Sequence, residues 1–209
     1  MIARPKIKIC GITRLKDARL SVSLGADYLG FIFYRKSKRY ISPDDACKIA
    51  YSVNPLVSIV AVFVDETPEH MLKISRKIRA NVIQLHGNQS ERVVRKLQSE
   101  GMKVALAFGV SSKTDWKRVY ATSADFVLLD NSAENEKGGT GKVFDWGLVP
   151  RRKIRNLFLA GGLEAGNYGR AIKKFSPLIL DFNSGVEVRP GLKSSVKLKY
   201  LFKSLAETL

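Results

Sequence analysis

Two positions carry side chains suited to moving protons, each at the end of an apolar, strand-like run. Cys10 closes Lys6-Ile7-Lys8-Ile9 and is followed at once by Gly11; Asp130 closes Phe126-Val127-Leu128-Leu129. A thiol near lysines is drawn toward thiolate and can serve as base or nucleophile, and a partly desolvated carboxylic acid across from it can donate a proton. Read from the residues alone, Cys10 is equally a small core side chain, and Asp130 equally a capping or loop-tethering carboxylate. His86, ending Val82-Ile83-Gln84-Leu85, is either a substrate contact or a hydrogen-bonded strand-end histidine. Arg39 and Asp181 complete the set of charged residues placed near strand ends.

Phosphate has a geometric requirement: backbone N–H groups must converge, and glycine lets the chain approach closely. Ala160-Gly161-Gly162 and Asn183-Ser184-Gly185 both follow apolar runs late in the chain, and the pair points to a phosphate site. A long polar segment, NSAENEKGGTGKVFDW, holds Gly139 and Gly141 and reads as a lid or substrate-gripping loop. It is no Walker sequence, lacking both the glycine spacing and the Ser/Thr after Gly-Lys.

The elements that must position these groups are legible as eight β-branched, apolar runs, at 7–12, 28–33, 57–64, 82–87, 104–110, 126–130, 156–162 and 178–184. Segments of helical periodicity lie between them, among them 15–26, 42–53, 67–79, 90–101 and 164–175. Ser42-Pro43-Asp44 and Thr67-Pro68-Glu69 each offer an N-cap, a proline at the first helical position and a first-turn acid. Right-handed crossovers then impose a parallel sheet, and eight βα units predict a single-domain α/β fold over 1–209, a (β/α)8 TIM barrel. In that fold the loops after the strands form the active face, and those after strands seven and eight often hold phosphate.

Strand alternation gives Lys6, Lys8 and Cys10 one parity, so an inward Cys10 places Lys8 inside the barrel, needing a buried acid. Asp181, on the strand that closes against the first, is the expected partner. Cys47, in a helical segment, reads as packing, and His70 as a surface residue.

The bulk properties set limits. A hydrophobic fraction of 45% with 26% charged residues is ordinary globular composition, and no apolar run reaches the roughly 18 residues that span a bilayer. The N-terminus lacks the pattern of a signal peptide. Two cysteines are too few for a disulfide framework or a zinc site, so a reducing, cytoplasmic setting is expected, with no membrane partner. The net charge of +17 would attract polyanions or phosphorylated small molecules. Its lysines and arginines are scattered without an RNA-reading signature or Cys/His finger, so no specific nucleic acid is expected.

KICGIT, GADYLGFIFYRKSKRYIS, VAVFVD, IQLHG, LLD followed by GGTGKVFDW, LAGGL and SGVE with a later PG-x-K occur in order from residue 6 to about 193. This set resembles the phosphoribosylanthranilate isomerase family. The resemblance implies a (β/α)8 barrel that needs no cofactor or metal. It also implies an acid–base Amadori rearrangement of N-(5-phosphoribosyl)anthranilate to 1-(2-carboxyphenylamino)-1-deoxyribulose 5-phosphate, the third step from chorismate in tryptophan biosynthesis. It assigns Cys10 as general base and Asp130 as general acid. Arg39 would contact the anthranilate moiety, Asp181 would orient the substrate, and Gly161, Gly162, Ser184 and Gly185 would hold its phosphate, with Gly139 and Gly141 helping to close the site. A monomer and a homodimer both remain open.

Three residues depart from the family pattern: Asn183 stands where a serine is expected beside the phosphate loop, Phe182 where a smaller aliphatic is, and loop 7 continues Glu164-Ala165-Gly166-Asn167 where proline is more usual. These put substrate affinity in question more than chemistry. The rival readings are another phosphosugar-binding barrel isomerase, against which Cys10 speaks, and a basic nucleic-acid-binding protein on an inactive barrel scaffold.

Overall fold

The computed structural model of the protein describes residues 4–131 and 144–208. Eight parallel strands close into a barrel in sequence order: β1 (Lys6–Ile9), β2 (Tyr28–Ile32), β3 (Ser58–Val64), β4 (Val82–His86), β5 (Lys103–Val110), β6 (Phe126–Asn131), β7 (Leu157–Leu159) and β8 (Ile179–Phe182). Closure is made by β1 pairing with β8, with Lys8 opposite Asp181. All eight expected runs are strands. They are shorter than the apolar runs at several ends, because Cys10–Ile12, Ala160–Gly162 and Asn183–Ser184 have already left the ladder for the loops above.

Five helices follow the first five strands: α1 (Leu15–Ser23), α2 (Pro43–Tyr51), α3 (Pro68–Lys77), α4 (Glu91–Ser99) and α5 (Trp116–Ala121). The two expected caps are formed. Ser42 Oγ accepts from the Asp45 N–H, Thr67 from that of His70, and each helix has proline in its first turn. The one-helix-per-strand expectation fails after β6, where the described residues form only a 3-10 turn at Trp146–Leu148. α6 (Tyr168–Phe175) follows β7, and β8 leads through a 3-10 turn at Ser184–Val186 and a small antiparallel pair, β9 (Glu187–Arg189) and β10 (Leu192–Lys193), into α7 (Ser195–Thr208). That pair sits where the sequence shows only Pro-Gly punctuation.

Strand alternation sorts the core into two layers. Ile59, Ala61 and Phe63 of β3 join the large cluster between sheet and helices, whereas Val60 and Val62 point inward with Val82, Ala105, Leu128, Phe158, Ile179 and Cys10. Phe158 packs against Phe126 and Tyr28, with ring centroids 4.8 and 6.1 Å away. The interior is therefore a filled core, and what is polar within it needs a reason. Among the described residues no helix is long and apolar enough to cross a membrane.

Candidate active site

Cys10 immediately follows β1, tied down by its N–H donating to the Phe182 carbonyl at 2.9 Å, and its side chain joins the inner cluster. The space it fills exists because β2 carries glycine there: a Cβ on Gly30 would stand 2.7 Å from Cys10 Sγ and 3.1 Å from Lys8 Cε. Beneath it, Lys8 has no exposed surface and donates to Asp181 Oδ2 at 2.6 Å and to Gln84 Oε1 at 2.5 Å. The ion pair expected from parity is thus present, and Gln84, which sequence reading passed over, completes its coordination. The signal was available: Gln84 interrupts the apolar run Val82-Ile83-Gln84-Leu85 and shares the parity of His86.

The thiol is not the ready thiolate that its neighbouring lysines suggest. Burial pushes the Cys10 thiol up, and the opposing pull of Lys8 and Lys193 does not overcome that desolvation, so the sulfur is protonated near neutral pH. Asp130, at the end of β6, is moved in the same direction: desolvation, with the charge of Asp181 adding to it, raises its carboxyl to about 6 despite the Asn131 N–H donated to Oδ1 at 2.7 Å. A carboxyl held there is an acid available near neutral pH. His86, partly buried at the end of β4, is pushed down to about 4 by burial and by the charge of Lys8, so it is neutral.

Arg39 reaches the same mouth over Gly11, where a Cβ would meet Arg39 Cδ at 2.8 Å and Asn183 Oδ1 at 2.7 Å. Its guanidinium is committed to Glu187: Nε donates at 3.1 Å to both carboxylate oxygens and Nη2 to Oε2 at 2.8 Å. Nη1 makes no hydrogen bond to a described residue. Lys193 donates to Glu187 Oε1 at 2.9 Å and to the side-chain and main-chain oxygens of Asn183 at 3.0 and 3.2 Å. Asn183 is therefore a partner of Lys193. Phe182, the other departure near the phosphate loop, faces the helical layer, its ring 6.4 Å edge-on to Tyr168 of α6.

The glycine loops lie side by side. Gly161 and Gly162 have φ of +80° and +70°, and a side chain at Gly161 would crowd the Asn131 amide at 2.8 Å and Asp130 Oδ1 at 3.2 Å. A side chain at Gly185 would collide with the Leu163 carbonyl, so loop 8 can rest on loop 7 only as glycine. A 3-10 turn begins at Ser184, in the loop where such barrels often carry a short extra helix beside a phosphate. Gly139 and Gly141, with most of the expected lid, lie outside the described residues. Cys47, half-buried, directs its sulfur to the Lys77 carbonyl, and His70 is exposed beside Glu66.

A closed (β/α)8 barrel with a thiol, a carboxyl of raised pKa and two glycine loops at its C-terminal mouth defines an acid–base enzyme for a phosphorylated substrate. Residues 7–204 match the family described as N-(5'phosphoribosyl)anthranilate (PRA) isomerase. The chain belongs to the phosphoribosylanthranilate isomerase family and is an isomerase. It is similar to the N-(5'-phosphoribosyl)anthranilate isomerase of Thermotoga maritima, with 43% identity over 201 residues, 95% of this chain and 97% of the relative. The crystal structure of the Thermus thermophilus phosphoribosyl anthranilate isomerase superposes with a TM-score of 0.87 at 34% identity, covering 97% of this chain and 98% of that one. A phosphoribosyl anthranilate isomerase in complex with reduced 1-(o-carboxyphenylamino)-1-deoxyribulose 5-phosphate gives 0.86 at 40% identity, covering 97% and 99%.

Proposed function

We infer that this chain converts N-(5-phosphoribosyl)anthranilate to 1-(2-carboxyphenylamino)-1-deoxyribulose 5-phosphate, with Asp130 as general acid and Cys10 as general base. The observation that carries this reading is the pairing, at one barrel mouth, of an inward Cys10 with an Asp130 whose carboxyl is raised to about 6. Asp130 gives its proton to the furanose ring oxygen, the C1′–O bond breaks, and the anthranilate nitrogen becomes an iminium cation. Cys10, having released its own proton to solvent to become the thiolate, then takes the proton from C2′, whose electrons neutralise the iminium and leave an enolamine that tautomerises to the ketone. The iminium acidifies C2′–H, and the same positive charge, added to those of Lys8 and Lys193, favours the thiolate that burial and the charge of Asp181 oppose. Each proton transfer supplies about 10²- to 10⁴-fold, with positioning adding the rest.

In this reading the loops of Gly161, Gly162, Ser184 and Gly185 hold the 5-phosphate, and the free edge of Arg39 meets the carboxylated ring. Asp181 fixes Lys8, and through Lys8 the layer on which substrate rests. Both proton-transfer groups come from one chain, so the reading is the same for a monomer and a homodimer. We place the protein in the cytoplasm, because Cys10 and Cys47 are both free thiols and a base built on sulfur needs a reducing compartment.

The test follows the fluorescence of freshly generated phosphoribosylanthranilate with purified protein, with the product identified by mass and chromatography. Enzyme-dependent conversion well above the spontaneous rate is expected, and absence of conversion by folded protein overturns the assignment.

A further inference from the structure

Gln84 sits two residues below His86 on β4, and its amide lies between partners of opposite demand. Lys8 Nζ is 2.5 Å from Oε1 on one side, and His86 Nε2 is 2.6 Å from Nε2 on the other. A lysine ammonium has three donors and no acceptor, so the amide atom facing it must be the oxygen. That leaves only N–H groups to face the imidazole. His86 Nε2 must then carry a lone pair, and the one proton of the neutral ring must sit on Nδ1.

We propose that Gln84 is a positioning residue: clamped by Lys8, it locks His86 as the neutral Nδ1–H tautomer, so the ring offers the substrate a hydrogen-bond donor and never a second base. This rests on the reading of the barrel mouth given above. Nδ1 makes no hydrogen bond to a described residue, so its N–H is available to a hydroxyl or carboxylate oxygen of the sugar or anthranilate.

The lock is strong because both ways out of it are closed. Protonating Nε2 would set an N–H against the amide N–H₂, and turning the amide over to receive that proton would set the N–H₂ against the Lys8 ammonium. Either change replaces one of the two hydrogen bonds with a donor–donor contact inside the barrel. Burial and the positive charge of Lys8 on β1 act in the same direction on the ring. The loop acid Asp65, after β3, directs Oδ1 to the Asn88 N–H at 2.9 Å, and Asp181 on β8 is taken by Lys8. The consequence for catalysis is selectivity: an imidazole with an open lone pair would compete with Cys10 for substrate protons, whereas Nδ1–H cannot.

The experiment is a long-range ¹H–¹⁵N correlation spectrum of the full chain labelled at histidine, with His70→Asn to leave one ring, alongside kcat/KM on phosphoribosylanthranilate. His86 is expected to show a protonated Nδ1 and a bare Nε2, unchanged down to about pH 5. In Gln84→Glu the carboxylate only accepts, so the proton moves to Nε2 and the ring titrates at or above its ordinary 6.5. In Gln84→Met, which keeps the volume and removes both hydrogen bonds, the two tautomers mix. KM should rise about tenfold or more in Gln84→Glu, the loss of one substrate hydrogen bond, and about twofold in Gln84→Met, where part of the population keeps Nδ1–H. A purely structural Gln84 would lower stability and leave the tautomer untouched, so a Met or Glu variant retaining the wild-type spectrum overturns the proposal. So does a changed tautomer with unchanged kcat/KM. The spectrum is read without substrate, so a wild-type ring lacking Nδ1–H refutes the lock itself, whereas a correct spectrum in a chain without turnover refutes the isomerase reading.

Discussion

Lys8 and Lys193 both have side chains without exposed surface, yet burial acts on them with opposite outcomes. For Lys8, desolvation is outweighed by Asp181, and the ammonium is held above its ordinary value; for Lys193, desolvation wins, and the ammonium is pushed down. The reason is how the carboxylates are shared. Asp181 Oδ2 faces Lys8, and its buried Oδ1 has no hydrogen-bond partner among the described residues. Glu187 divides its two oxygens among Arg39, Lys193 and the Gly191 N–H. The outer network is saturated and acts as a clasp joining loop 2, loop 8 and β10, which also keeps Glu187 below its ordinary value: burial pushes it up, but Arg39 and Lys193 prevail. The inner network is left open on one side, and its charges reach Cys10, His86 and Asp130. The pair that perturbs three neighbours marks chemistry here; the outer network, from which Lys193 pulls on Cys10 more weakly than Lys8 does, serves mainly as architecture.

The sharpest test of that contrast is Asp130→Asn. Turnover should fall by about 10³-fold or more, within what a general acid contributes. The same change should stabilise the fold at pH 7. A carboxyl raised to about 6 contributes stability that is present below its unfolded value and lost as pH rises through 6, so removing the charge recovers on the order of 2 kcal/mol at pH 7 and almost nothing at pH 4. Urea unfolding at the two pH values checks the sign. In the wild type, an acid near 6 working with a thiol raised above its ordinary range predicts kcat/KM that climbs to a plateau at about pH 6 and declines only in the alkaline limb.

Next in size, Lys8→Met strands Asp181 as an uncompensated buried charge and should cost about 3–5 kcal/mol with a large loss of kcat. Lys193→Met leaves Glu187 with Arg39 and the Gly191 N–H, so a smaller stability loss, about 1–3 kcal/mol, is expected, with a smaller loss of kcat than in Lys8→Met because Lys193 pulls on Cys10 more weakly than Lys8 does. Equal kinetic losses in the two variants would erase the distinction drawn between the networks. Gly30→Ala pushes on Cys10 Sγ and Lys8 Cε at once and should reduce kcat/KM about 10- to 100-fold with KM nearly unchanged, measured by steady-state kinetics. At the small end, Lys77→Ala removes only an exposed pair with Asp44 and should leave the urea unfolding midpoint essentially unchanged.

Much of this was legible in the residues for a definable reason. β-branched runs and alternation are local, so eight strands, two helix caps and the Lys8–Asp181 pair could be read from them. The clasp could not: Arg39 and Glu187 are 148 positions apart, and nothing local to FYRKSKR or SGVE says that they meet. The missing helix after β6 and the β9–β10 pair were illegible for a similar reason, since tertiary packing decides them. For Cys10, the sequence shows lysines that draw a thiol toward thiolate and leaves its protonation state open. Proximity to lysine is visible in KIKIC, whereas desolvation by Val60, Val62 and Leu128 is contributed by strands far along the chain. Asn183 and Phe182 looked like changes to phosphate binding, yet one serves Lys193 and the other the helical layer, a difference that alternation on β8 explains.

The pairing of β1 with β8 also has a temporal meaning. Lys8 and Asp181 are separated by 173 positions, so during synthesis the second lysine of the chain waits for almost the whole polypeptide before its counter-charge exists. Until then Lys8 cannot be buried at low cost, and the first strand has an open edge on the side β8 will cover. Such non-local closure is slow to form and is the step at which a nascent chain is most exposed to wrong pairing. The pair beneath Cys10 therefore forms late in folding, and a chain interrupted before β8 has neither a closed barrel nor a counter-charge for Lys8.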